Sequence, residues 1–177
     1  MKHLLPLLCV LCASVVENAD AEDFRHRVTG LFALDRVEDF QKLIAQLPDV
    51  KLVSVDFKTA EATFSYDAKA LGGGKPEKAL ERLDTLVRQA SRSTFGIRPL
   101  STTPRDQLTR VEIGVLGLDC KGCALAAYEA VAKLDGVEQA TASFKDGRVT
   151  ALIDPKKTNR AALEAALVAK RVELKAP

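Results

Sequence analysis

Shifted by 87 residues, this chain of 177 aligns with itself without a gap, Gly30–Asp67 falling on Gly117–Asp154. Identities include Gly30 with Gly117, Leu31 with Leu118, Leu47 with Leu134, Val50 with Val137, Phe57 with Phe144, Lys58 with Lys145, Thr63 with Thr150 and Asp67 with Asp154. Where identity lapses, the apolar spacing holds: Val37, Phe40, Ile44 and Leu47 overlie Ala124, Ala127, Val131 and Leu134. Apolar residues at steps of three and four make one face of a helix. A pattern repeated over this length means two copies of one small unit.

Each copy reads in the same order. A strand (about 24–30; 110–116) leads into a helix (about 35–47; 122–134). The next strand alternates inward as Val53, Val55, Phe57 in the first copy and Ala140, Ala142, Phe144 in the second. A tight turn follows; in the second copy it is Lys145-Asp146-Gly147-Arg148, whose Asp-Gly pair suits a hairpin with positive φ. The third strand points Ala62, Phe64, Tyr66 or Val149, Ala151, Ile153 inward. A second helix (about 76–91; 159–169), started by Pro76 or capped by Thr158 or Asn159, and a short last strand complete the unit. Strand-helix-strand-strand-helix-strand predicts an α+β chain of two tandem ferredoxin-like (βαββαβ) domains. Each would place two helices on one face of a four-stranded antiparallel sheet. The expected division is 22–100 and 110–177, with 101–109 as linker and Pro99 and Pro104 flanking Ser101-Thr102-Thr103.

The first residues read differently. Lys2 and His3 precede an apolar core, Leu4–Val16, shorter than the roughly 20 residues of a bilayer span, and Ala19-Asp20-Ala21 offers small residues for cleavage. Residues 1–21 are therefore expected to be a secretory signal, and the protein exported, periplasmic or secreted, with no membrane insertion once the signal is gone. Cys9 and Cys12 would leave with it, so Cys120 and Cys123 become the thiols that matter. A formal net charge of +2 is too small to point to nucleic acid or an anionic membrane.

Gly117-Leu118-Asp119-Cys120-Lys121-Gly122-Cys123 joins a strand to a helix. Cysteines three apart at such a junction lie on one side of the first helical turn, close enough to share an ion. The helix N-terminus and Lys121 favour the thiolates, whereas Asp119 opposes them and suits a cap. One pair cannot staple a chain of this size, so in an oxidising compartment it must be held by metal or a partner, or cycle as a disulfide. A soft-metal clip and a redox dithiol both remain open on the residues alone. Two thiolates suit Cu(I) or Hg(II), which tolerate low coordination; Zn(II) wants about four ligands, which two copies of the chain together would supply.

The second copy resembles the heavy-metal-associated domain family, which includes copper chaperones and periplasmic mercury-binding proteins. The resemblance rests on Gly117-Leu118-Asp119-Cys120-Lys121-Gly122-Cys123, on Leu134-Asp135-Gly136-Val137 closing the first helix, and on Leu163, Ala166 and Leu167 in the second. It implies a soft ion, Cu(I) first, held by Cys120 and Cys123 and passed by ligand exchange to a protein partner, a transporter or a cuproprotein. Leu118 stands where the family usually has an inward-packed methionine. Arg171 falls at a usual glycine, and Val172 at a usual aromatic or lysine near the metal loop. In the first copy Phe32, Ala33 and Arg36 replace Asp119, Cys120 and Cys123, so it has lost the site and is left with docking, dimerising, shielding or mere bulk as roles.

Other signals are weaker. His26 overlies Ile113 and reads as a packed, hydrogen-bonded residue of the first strand. Gly72-Gly73-Gly74-Lys75 lacks the Ser or Thr of a phosphate loop, Pro76 standing there, and reads as an inserted loop. Lys156-Lys157 and Lys170-Arg171 are helix-end charges. No acid-base pair, serine nucleophile or dinucleotide fingerprint argues for an enzyme. The competing readings are a dithiol-disulfide oxidoreductase using the same cysteines and a metal-free interaction module.

Overall fold

A computed structural model describes residues 21–176; the expected signal segment, with Cys9 and Cys12, lies outside them apart from Ala21. The first unit runs β1 (Glu22–Thr29), α1 (Arg36–Ile44), β2 (Lys51–Asp56), β3 (Glu61–Tyr66), a short α2 (Ala68–Leu71), α3 (Ala79–Ala90) and β4 (Gly96–Arg98). A 3₁₀ turn at Pro76–Lys78 leads into α3, as the proline foretold. The second unit runs β5 (Thr109–Gly114), α4 (Lys121–Ala132), β6 (Val137–Ser143), β7 (Arg148–Ile153) and α5 (Arg160–Ala169). Asn159 caps α5 by accepting from the Ala162 amide at 3.0 Å.

Both units have the expected antiparallel sheet. The first orders its strands β2-β3-β1-β4, and the second β6-β7-β5. The fourth place in the second sheet is taken by residues 173–175. They make one bridge, Val115 to Leu174, and two flanking bonds, Leu116 N to Glu173 O and Lys175 N to Gly114 O. The helix faces read from the repeat are the buried ones: Phe40 and Ile44 in α1, Ala124, Ala127 and Val131 in α4. Ala62, Phe64 and Tyr66 in β3, and Val149, Ala151 and Ile153 in β7, face the same cores. Asp67 and Asp154, identical in the repeat, both accept backbone N–H groups two residues on, and thereby hold the turn after the third strand.

The second strand departs from expectation in each copy. Val53 is exposed, because a bulge between Leu52 and Ser54 hands its inward place to Leu52. In the second unit the bulge falls earlier, between Val137 and Gln139, so Ala140 and Ala142 do point inward. Phe144, one residue past the end of β6, is also exposed, whereas Phe57 at the matching place past β2 packs half-buried on the first core.

The two units are not beads on a string. Phe32, from the loop after β1, is 4% exposed and belongs to the second unit's core, where its ring lies 5.7 Å from that of Tyr128. Around it the Gly30 amide donates to the Tyr128 hydroxyl at 2.7 Å and the Ala142 amide donates to the Phe32 carbonyl at 2.9 Å. Gln139 Nε2 donates to the Phe57 carbonyl at 3.0 Å, and Arg27 pairs with Glu138 in a half-sequestered seam. The connecting segment is tied down by Thr103 Oγ1, which donates to Asp154 at 3.1 Å.

Candidate metal centre

Gly117 takes φ +69°, and Gly30 takes φ +94° at the matching place. Only glycine adopts such angles without strain, so both loops turn alike after their strands. Leu118 then buries itself beneath the loop, 5% exposed, as Leu31 does in the first unit. Leucine thus fills the inward place expected for it.

Cys120 is extended and caps α4: its Sγ accepts from the Cys123 amide at 3.1 Å. The two sulfurs lie 2.7 Å apart, one thiol donating to the other. Both cysteines are free; Cys120 is exposed and Cys123 half-buried. The thiol and the amide of Cys123 together hold Cys120 below the ordinary thiol range, with Asp119 working the other way. Donating to Cys120 pushes Cys123 above that range. These contacts favour the thiolate at Cys120, at the N-terminus of α4.

Among the described residues no three His, Cys, Asp or Glu side chains cluster as a metal cage. The donor set is therefore two soft sulfurs on an open loop, which fits an ion content with two ligands and ready to accept a third. The other residues singled out in the sequence fall elsewhere. His26 is half-buried, its Nε2 2.8 Å from the Tyr66 hydroxyl, and its pKa is lowered by burial. Burial raises the Tyr66 hydroxyl to about 12. Gly72 to Gly74 close α2 in an ordinary turn, with Gly73 and Gly74 at positive φ. Arg171 takes φ +60° just after α5, the left-handed position for which the resemblance expects glycine, and Val172 packs on the second core.

Three residues near the loop escape a reading of the repeat: Phe32, Tyr128 and Asp35. Lys121 Nζ, between the two cysteines, donates to Asp35 Oδ2 of the first unit at 2.6 Å. One signal was available. Helix α4 buries Ala124, Ala127, Tyr128, Ala130 and Val131, a broader arc than one sheet can cover. A helix apolar on more than one side is covered on more than one side.

The heavy-metal-associated domain model matches residues 113–171. Among solved structures, the CopZ metallochaperone is 22% identical over 38% of this chain and 100% of its own, with a TM-score of 0.37. Oxidized MerP from Ralstonia metallidurans CH34 is 22% identical over 38% of this chain and 94% of its own, TM-score 0.37. The N-terminal soluble domains of Bacillus subtilis CopA are 18% identical over 88% of this chain and 92% of their own, TM-score 0.36. No curated protein matches the chain.

Proposed function

We propose that the protein carries one soft metal ion, Cu(I), between the sulfurs of Cys120 and Cys123, on the premise of the heavy-metal-associated domain model's match to residues 113–171. The observation that supports this most is the pair itself: two free thiols converging on an exposed loop, with no third His, Cys, Asp or Glu clustered with them among the described residues. Handover is ligand exchange. A thiolate or thioether of a partner joins the ion, one cysteine departs, and no unfolding is needed because the loop is already open. The role is carriage rather than catalysis, the partner a metal-accepting or metal-donating protein, and the place of work outside the cytoplasm, as the pattern of residues 1–21 suggests.

The test is an anaerobic titration of the reduced chain with Cu(I) against a chromophoric chelator, beside Cys120→Ser and Cys123→Ser. One equivalent that withstands the chelator and disappears in both variants is the expected result. Binding indifferent to the serines would sink the proposal.

The unequal placement of the thiols favours a second reading, dithiol-disulfide exchange, in which the exposed Cys120, whose sulfur accepts the Cys123 amide, attacks and the half-buried Cys123 resolves. A reduction potential in the range of oxidoreductases, together with failure of the titration, would move the function there.

A further inference from the structure

We propose that the cysteine-free loop of the first unit sets the charge at the metal loop: Asp35, held beside the cysteine pair by the burial of Phe32, takes Lys121 as its partner and so weakens the hold on a bound ion. The part that concerns the ion rests on the carrier reading above.

The geometry is specific. Asp35 and Lys121 are 86 residues apart, yet Lys121 Nζ meets Asp35 Oδ2 at 2.6 Å. Chance surface pairs of this length are usually mobile at both ends. Here the Asp35 end is fixed, because the preceding residues are locked into the second unit through the Phe32 ring, the Phe32 carbonyl and the Gly30 amide. Arg36 follows Asp35, and its guanidinium lies 5.4 Å from the Phe32 ring centroid and 5.2 Å from that of Phe95. The loop that matches Gly117–Cys123 in the repeat has thus become a fixed bracket, ending in a carboxylate next to the working loop.

The consequence is electrostatic. Two thiolates around a monovalent ion carry a net negative charge, and Lys121 is the cation closest in sequence to both sulfurs. Pairing it with Asp35 cancels that help and leaves Asp119 uncompensated beside the sulfurs. Both side chains are substantially exposed, Lys121 at 67% and Asp35 at 50%, so the effect is modest and falls with salt. A carrier gains from this, since an ion held less firmly leaves faster.

The experiment uses the full chain and reads two quantities. The first is the rate at which Cu(I) passes to a chromophoric chelator; the second, without metal, is the ratio of thiol modification rates by an anionic and a neutral aromatic disulfide reagent. Asp35→Asn is expected to slow release by about two- to fivefold and to raise the anionic-to-neutral ratio by a similar factor, the size of an exposed charge pair. Both changes should shrink in high salt, in a Lys121→Met background and in Asp35→Glu. A shifted ratio in a chain that binds no Cu(I) would retire the carrier reading and leave the charge-setting role standing. An unmoved ratio, or a bound ion whose release ignores Asp35→Asn, overturns the proposal.

Discussion

The loops Gly30–Arg36 and Gly117–Cys123 share a backbone course and have opposite fates. Each begins with a glycine at positive φ and a buried leucine. After that, Phe32, Ala33 and Arg36 turn toward protein in the first loop, whereas Asp119 and Cys120 face solvent in the second. Phe32 is buried where Asp119 is exposed; Ala33 packs against the second core where Cys120 is free. Arg36 lies over two aromatic rings where Cys123 meets its partner sulfur. A duplicated loop therefore need not keep its chemistry to stay useful, because the same turn that offers two sulfurs to an ion can offer a ring to a neighbouring core.

Exchanging residues between the loops puts that contrast to the test. Phe32→Asp, which installs the residue of the sister position, should be the most damaging. It removes a ring from the second core and leaves a carboxylate there, for a loss of about 4 kcal/mol or more. Urea unfolding of the full chain reads it, and a midpoint near that of the native chain would show that Phe32 is not part of that core. Tyr128→Phe is next. The buried Gly30 amide loses its acceptor, and about 1–3 kcal/mol should disappear from the same unfolding curve.

His26 gives a pH signature confined to the first unit. Its folded pKa lies below the unfolded value of about 6.5, so the unfolded chain binds the proton more readily. Stability is therefore fully present above pH 6.5 and lost as pH falls toward the folded pKa. A stability-pH profile of His26→Gln should be flatter across that window than the native one; parallel profiles would remove His26 as the cause. The smallest effect belongs to the reverse exchange. Asp119→Phe puts a ring on an exposed loop with no core to enter and should change stability by no more than about 0.5 kcal/mol. A loss comparable to that of Phe32→Asp would mean that the two loops are not environments of different kind.

The sequence by itself determined the two units, their element order, the helix faces, the inward alternation of β3 and β7, and the cysteine pair at a strand-helix junction. All of these rest on interactions between residues close in the chain, where periodicity and turn chemistry act. Tertiary structure alone decided that Leu52 rather than Val53 faces the core, since a bulge is a choice of pairing between strands. It also left Phe144 outside while Phe57, its match in the repeat, packs half-buried on the first core. Above all it decided where the first unit's loop packs. The contacts Phe32 to Tyr128 and Asp35 to Lys121 span 96 and 86 residues, and no local pattern encodes which two surfaces will meet. The over-broad apolar arc of α4 announced that a cover was needed, and only the packing of the two units showed that the cover was the loop that had lost its cysteines.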